Sequence, residues 1–147
     1  MAFDYRRLSE AERLSHFRNL VVMSLKDGAV CDPERDLLSF LAAKWGLLPE
    51  QARLVLDNPD QLKVQLAKEA EARFHQLFDL TELMIIDGEM RAKERELCMA
   101  LAVELGFDEA SVRMIIEEIL GGNQRRDSEA QIHARTRTRL VNAGKWK

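Results

Sequence analysis

Apolar side chains recur every three or four residues along most of this chain, the spacing at which they line one face of an α-helix. The first stripe comprises Leu14, Phe17, Leu20, Val21 and Leu25, and a second comprises Leu37, Leu38, Leu41, Ala42 and Trp45. No segment shows a convincing alternation of apolar and polar residues, which a half-buried β-strand would require. The pattern therefore predicts an all-α fold.

The same pattern returns 60 positions later without a gap. Asp27-Gly28 recurs as Asp87-Gly88, Glu34-Arg35 as Glu94-Arg95, and Gly46 as Gly106. Apolar positions recur with conservative changes, such as Phe17 with Leu77, Trp45 with Leu105 and Leu47 with Phe107. Each copy predicts a helix, an Asp-Gly turn, a second helix, a glycine turn and a third helix. A repeat of this kind indicates one structural unit used twice.

Two copies of a three-helix unit predict a specific architecture. The expected repeats span about residues 9–58 and 68–120, with a hinge at Asp57-Asn58-Pro59-Asp60. A lone unit of about 50 residues would have a marginal core. Two copies that bury their stripes against each other would form a pseudo-two-fold helical bundle. We therefore expect a helical domain over residues 1–122, followed by a basic C-terminal tail or helix over residues 123–147.

Capping residues mark several of the expected helix ends. Ser9 and Glu12 have the spacing of a capping box at the start of the first helix. Asp108 is placed to cap the third helix of the second repeat. Gly121-Gly122 is expected to end that helix, because glycine is common just beyond helix C-termini.

The formal net charge of −3 hides an uneven distribution. From Asn123 onward there are seven lysines and arginines and two acids, a charge of +5, while the preceding residues carry −8. Such a split is typical of a tail with a partner of its own. The candidate partner-binding residues are Arg135, Arg137, Arg139, Lys145 and Trp146. An acidic protein surface or an anionic membrane is the favoured partner of this tail, and nucleic acid is less favoured.

Two structures remain open for the tail. It is either a solvated arm or a helix from about Ser128 to Asn142 that docks through one side, formed by Ile132, Thr136 and Leu140. In the second case, arginines of the tail would pair with the acidic body of the protein.

The two Asp-Gly turns are the first place to look for a cation site. Each matches the second half of an EF-hand loop, but the first half fails, because apolar residues such as Met23 and Leu83 occupy positions that need oxygen ligands. A second hypothesis stays open: if the pseudo-two-fold brings the turns together, their acids form one cluster that holds a divalent cation. The candidate ligands are Asp27, Glu34, Asp87 and Glu94.

A structural interpretation of the same turns competes with the cation hypothesis. Arg35 and Arg95 would neutralise the acids internally. Each Asp would hydrogen-bond its own turn, and Gly28 and Gly88 would take positive φ angles. Apart from that one candidate divalent cation, we expect no cofactor.

Motifs typical of other metal sites, of disulfides or of catalysis are not recognisable in the sequence. His16, His75 and His133 lack the i,i+4 spacing to another His or Cys that is typical of metal ligands, so we expect packing or surface roles for them. Cys31 and Cys98 form no disulfide framework and are expected to be buried, reduced thiols. The sequence contains no recognisable serine–histidine–acid order or phosphate-binding glycine loop. We therefore expect a protein that is not an enzyme.

The motif Asp-Gly-x-apolar-x-x-x-Glu-Arg, set between helices and followed by a glycine turn, occurs in both halves. Over about Leu14 to Leu120 the chain thereby resembles the TerB-like family of tellurite-resistance-associated domains. The resemblance implies an all-helical bundle of two such units and a link to stress responses that involve metals, phage and membrane-associated complexes. It also implies a cation held by acids at the turns, which correspond to Asp27, Glu34, Asp87 and Glu94.

Together these features predict a non-enzymatic, stress-associated interaction module that binds a partner protein or a membrane-associated complex. The alternative is a cation-binding stress domain that uses the acids at the two turns, and a homodimer also stays open. No run of about 18 apolar residues occurs, and the first residues lack the apolar stretch of a secretory signal. We expect a cytoplasmic protein, and association with a membrane through its partners also stays open.

Overall fold

The computed structural model describes residues 8–25, 32–58, 67–85 and 90–146, and every regular element in these ranges is an α-helix. The helices are α1 (Glu10–Leu25), α2 (Asp32–Lys44), α3 (Pro49–Asp57), α4 (Ala70–Met84), α5 (Ala92–Glu104), α6 (Glu109–Arg125) and α7 (Glu129–Asn142). The predicted all-α fold is confirmed. In the part of the chain so described, no helix combines the length and apolarity needed to span a bilayer.

The helices belong to two compact units. In the N-terminal unit α1, α2 and α3 pack against one another pairwise. In the C-terminal unit α4, α5 and α6 do the same, and α7 packs on α6. The starts of α4, α5 and α6 lie 60 positions after those of α1, α2 and α3. The helix pattern therefore follows the sequence repeat, whereas the pseudo-two-fold bundle stays a prediction.

An aromatic core and two helix-end contacts organise the N-terminal unit. Phe17 and Trp45 are fully buried, which confirms the core position expected for Trp45. The Arg13 guanidinium donates a hydrogen bond of 2.6 Å to the carbonyl oxygen of Trp45, just beyond the end of α2. Ser9 and Glu12 form the predicted capping box, since the backbone N–H of each donates to a side-chain oxygen of the other at 3.1 Å.

The C-terminal unit repeats this plan with different side chains. Phe74, Leu101 and Ile115 are buried at the centre of the unit. Asp108 caps α6 as predicted, because its Oδ1 accepts a hydrogen bond of 2.9 Å from the backbone N–H of Ser111.

Corresponding glycines end the second helix of each unit. Gly46 and Gly106 have φ angles of 75° and 90°, which glycine adopts without steric cost. The next residues, Leu47 and Phe107, donate their N–H groups back to the helix at 2.9 and 2.8 Å and bury their side chains. This is the Schellman arrangement, and it confirms the predicted glycine turns. The positive φ angles expected at the other two repeated glycines, 28 and 88, fall outside the described residues.

The helix end expected at Gly121-Gly122 is wrong. The helix α6 passes through both glycines and continues to Arg125. The physical reason is that Gly122 allows α7 to approach α6 closely and does not end the helix. A Cβ atom at this position would lie 2.4 Å from Cγ1 of Ile132 in α7, so only glycine lets the two helices come this close.

The basic tail is a docked helix, so the solvated-arm alternative is wrong. Ser128 caps α7 by accepting a hydrogen bond of 3.2 Å from the N–H of Gln131. The side formed by Ile132, Thr136 and Leu140 is at most 1% exposed. Burial of this stripe against the C-terminal unit supplies the free energy that orders the helix.

Candidate functional site

Only one of the four candidate acids at the Asp-Gly turns has a described side chain. Asp27 and Asp87 lie outside the described residues, and so does the side chain of Glu34 in α2. Glu94 is fully buried at the start of α5, where its Oε1 accepts the backbone N–H of Arg91 at 3.4 Å. This contact is a helix-capping role, and the cation site at the turns stays a prediction.

An open groove with a volume of about 740 Å³ runs between α6 and α7. Its lining includes Met114, Glu118, Arg135, Thr138, Arg139 and Asn142. Arg135 and Arg139 are one helical turn apart, on a flank of α7 that is distinct from its buried stripe. We call this surface the α6–α7 groove. It holds two of the five residues that the sequence assigned to partner binding.

Two other candidate basic residues of the tail, Arg137 and Lys145, form ion pairs inside the C-terminal unit. Nε of Arg137 lies 3.2 Å from Oε2 of Glu71, and Nζ of Lys145 lies 2.6 Å from Oδ2 of Asp108. The Lys145 hydrogen bond, assisted by the backbone N–H of Ser111, lowers the pKa of Asp108 to about 2. Arg137 and Lys145 therefore already have acidic partners within the C-terminal unit.

Trp146 also faces its own unit. Its ring centroid is 5.3 Å from that of Phe74, and the guanidinium of Arg137 lies over its ring at 5.2 Å. Packing against Phe74 and Arg137 therefore accounts for the position of this tryptophan, which the sequence analysis assigned to partner binding. By contrast, Arg135 has no ion pair among the described residues.

A group of three titratable side chains lies on the other flank of α7. Glu71, His75 and His133 each bring a carboxylate oxygen or ring nitrogen to within 4.8 Å of one another, and we call them the histidine cluster. The rings of His75 and His133 stack at a centroid distance of 4.2 Å and an interplanar angle of 24°. The ring of His133 also packs on Phe74 and Phe78, at centroid distances of 4.7 and 5.1 Å.

The environment of His133 favours its neutral imidazole. Burial lowers the pKa of His133, and the charge on His75 lowers it further. Its Nε2 atom is buried and has no hydrogen-bond partner within the described ranges. A neutral imidazole with an unsatisfied nitrogen is able to ligate a metal ion.

The sequence expectation for these histidines was incomplete. The spacing rule between His and Cys residues leaves out carboxylates, while Glu71 and His75 are four residues apart on one helix, which is a local signal of a shared face. No local pattern could have added His133, because it belongs to a helix far along the chain. Its proximity depends on how α7 docks.

A second cluster in the C-terminal unit is made of carboxylates alone. Oxygens of Asp79, Glu82 and Glu129 lie within 4.8 Å of one another. Such a donor set suits a hard cation. Acidic groups also gather in proteins without an ion, so these three residues by themselves do not define a site.

Two buried titratable groups, His16 and Cys98, belong to neither cluster. Burial lowers the pKa of His16 from 6.5 to about 4, with Glu12 opposing the change. Burial raises the pKa of the Cys98 thiol to about 11, which makes it a poor nucleophile. The expectation of a buried, free thiol is confirmed for Cys98, whereas Cys31 lies outside the described residues.

No protein-family model, curated protein or solved structure matches this chain. The TerB-like resemblance therefore stays a prediction that depends on the repeated residue pattern. Function has to be argued from the geometry of the chain itself.

Proposed function

We propose that this chain is a non-enzymatic interaction module that binds an acidic segment of a partner protein in the α6–α7 groove. The observation that carries the proposal is the division of α7 into a buried stripe and a basic flank. Ile132 and Leu140 are at most 1% exposed and dock the helix, whereas Arg135 and Arg139 line the groove. A docked helix presents these arginines in a fixed arrangement, which lowers the entropic cost of binding.

The groove offers both components of a peptide-binding surface. Met114 and Ala134 supply apolar area, and Thr138 supplies a hydroxyl group. Amphipathic segments bind such grooves by placing apolar anchors inside and charges at the edge. Glu118 also lines the groove, so we expect the acids of the partner to contact the arginines rather than the whole length of the surface.

Arg135 and Arg139 can bind an acidic partner without the loss of a strong ion pair. Arg135 is exposed and has no ion pair in the parts of the chain that the structure describes. Arg139 lies 3.6 Å from Glu117, in a pair whose side chains are 38% and 51% exposed. Solvent screens such a pair, so a carboxylate of the partner competes with Glu117 at small cost.

The wider role is part of the same proposal. The repeated motif supports a TerB-like, stress-associated module, and attachment to a membrane-associated complex would occur through the bound partner. Direct binding of anionic membranes, nucleic acid or a second copy of this chain are competing outcomes. The cation-binding alternative concerns the Asp-Gly turns and is separate from the groove.

Defined peptides test the proposal directly. The probe is a helical peptide with leucines on one face and glutamates beside them, matched with a peptide that has glutamine at every glutamate position. We expect the acidic peptide to bind at least about tenfold more tightly, since charge-assisted hydrogen bonds contribute about 1.5–3 kcal/mol each. Fluorescence anisotropy at rising salt measures the affinity, which should fall as salt screens the charges.

Paired variants locate the binding surface. Arg135→Glu should weaken binding of the acidic peptide by about tenfold or more, and amide NMR shifts should cluster in α6 and α7. Arg18→Glu, at an exposed arginine of α1, is the matched control and should leave the affinity unchanged. Equal effects of the two variants would overturn the proposal. So would binding only to phosphatidylserine-rich vesicles or to single-stranded DNA.

A further inference from the structure

We propose that the histidine cluster, Glu71, His75 and His133, binds a divalent transition-metal ion of the zinc class. Two imidazoles and one carboxylate form a donor set that Zn²⁺ and its neighbours prefer, with a further position left for water. All three residues belong to the C-terminal unit: Glu71 and His75 lie on α4, and His133 lies on the flank of α7 that faces them. The site is therefore distinct from the α6–α7 groove and does not depend on the proposed function.

The two helix-α4 residues are placed for joint ligation. Oε1 of Glu71 and Nε2 of His75 are 4.0 Å apart, and their side chains are 44% and 52% exposed. An ion can therefore reach them from solvent. Metal–nitrogen distances of about 2.0–2.1 Å need the donor atoms closer together than they are here. Rotation of the exposed His75 ring out of its stack on His133 supplies that movement.

His133 contributes the third donor from α7. Its buried Nε2 has no hydrogen-bond partner in the described residues, and an unsatisfied buried polar atom is costly. The ring of His133 brings one of its nitrogens to within 4.8 Å of the other two donors, and ligation of an ion through Nε2 would satisfy this atom. The rings of Phe74 and Phe78 pack around His133 and exclude water from one side, which strengthens electrostatic contacts there.

The surroundings also orient the carboxylate. Oε2 of Glu71 pairs with Arg137 at 3.2 Å, which leaves Oε1 directed towards His75. Partners of this outer kind fix the orientation of metal ligands. Arg137 is in turn held over the ring of Trp146. A bound ion would therefore connect α4 with α7, and it should stabilise the docked C-terminal helix.

Metal titration of the full chain tests this inference. The chain is stripped of metal with a chelator and titrated with zinc chloride by calorimetry. Cobalt(II) is the spectroscopic probe, because its visible bands report nitrogen ligands and coordination number. We expect one ion per chain, and a melting temperature that rises with zinc. His75→Gln and Glu71→Gln should each weaken zinc binding by at least about tenfold, because even loss of an outer-shell partner costs about 10–100-fold.

Matched controls keep the outcome clear. His16→Gln removes a histidine from the N-terminal unit and should leave the zinc affinity unchanged. The acidic peptide should bind His75→Gln as it binds the parent chain, so failure of the groove proposal and failure of the metal proposal are distinguishable. Zinc binding of equal strength in His75→Gln, Glu71→Gln and the parent chain would overturn the assignment. Absence of zinc binding to the parent chain would do the same.

Discussion

Each of the two units contains three helices in the same order, but the units differ in what packs on the third helix. In the N-terminal unit α3 is 9 residues long and ends at Asp57, and Leu54 on this helix is 68% exposed. In the C-terminal unit α6 is 17 residues long and α7 packs on it. Met114, which corresponds to Leu54 in the repeat, is only partly exposed and lines the α6–α7 groove. Within the described residues, the difference between the copies is therefore the helix α7.

This difference shows where candidate function is located. The α6–α7 groove and the histidine cluster both need residues of α7, so neither has a counterpart among the described residues of the first copy. The shared positions mainly build cores, such as Leu41 with Leu101 and Ala42 with Ala102, which are buried in both units. Duplication accounts for the scaffold, and the candidate sites lie where the copies diverge.

Removal of α7 should have the largest effect on stability. A chain that ends after Asp127 loses the buried Ile132 and Leu140 and uncovers α6. Large-to-small changes at single core positions cost about 2–5 kcal/mol, so we expect a loss of about 4 kcal/mol or more in the free energy of unfolding. Urea denaturation of the truncated and full chains measures this loss.

Adjacent residues of α7 provide the control for the truncation. Leu140 is fully buried and Val141 is 49% exposed. Leu140→Ala should cost about 2–5 kcal/mol, whereas Val141→Ala should stay within about 0.5 kcal/mol of the parent. A truncated chain as stable as the full one would show that α7 is not part of the core, and the comparison of the two units would fail.

Acid should destabilise the chain through the N-terminal unit. His16 is 6% exposed, and its pKa is lowered from 6.5 to about 4, so the unfolded state binds a proton more readily than the folded state. Stability is therefore fully present above about pH 6.5 and falls as the pH drops towards about 4. The shift corresponds to about 3 kcal/mol at most.

The repeat itself supplies the variant that tests this effect. The position equivalent to His16 is Gln76, whose side-chain oxygen accepts the N–H of Ala67 at 2.9 Å. His16→Gln should flatten the dependence of unfolding free energy on pH between about 6.5 and 4. Burial also lowers the pKa of His133, so some dependence should remain. Identical pH profiles for the variant and the parent would assign the whole effect to other groups.

Local signals predicted much of this scaffold. The helical periodicity and the 60-residue repeat correctly indicated the paired three-helix pattern. Ser128 and the stripe through Ile132 and Leu140 placed α7 within a residue of its observed bounds. These features depend on short-range hydrogen bonds and on one face of one helix, both of which the sequence displays.

Features that depend on contacts between helices were not predicted. The histidine cluster needs α4 beside α7, and the groove needs the crossing of α6 and α7. The helix end expected at Gly122 is wrong for the same reason, since glycine's preference for helix ends is a local rule and its small size matters only once Ile132 is present. The Asp-Gly turns stay predictions, because they fall outside the described residues.

Gly122→Ala tests the crossing of α6 and α7, and we expect it to have a smaller effect on stability than the truncation or the change of pH. The new Cβ would lie 2.4 Å from Cγ1 and 2.7 Å from Cδ1 of Ile132, whose β-branched side chain has little freedom to move. Overpacking of this kind costs about 1–3 kcal/mol. Contacts as short as 2.4 Å place the cost at the upper end of this range, about 2–3 kcal/mol. The gain in helix propensity of about 1 kcal/mol offsets part of that cost, so we expect a net loss of about 1–2 kcal/mol in urea denaturation.

The same substitution at the neighbouring Gly121 separates the effect of helix packing on stability from the effect of helix propensity. At Gly121 a Cβ would meet only the end of the flexible Arg125 side chain, at 3.3 Å. Gly121→Ala should therefore be neutral or stabilise the protein by up to about 1 kcal/mol. In a double-mutant cycle, Ile132→Ala should cancel much of the penalty of Gly122→Ala, because both changes act on one contact. Equal stability of the two glycine variants would mean that α6 and α7 do not cross closely at Gly122, and the close packing of α7 on the third helix of the C-terminal unit would be wrong.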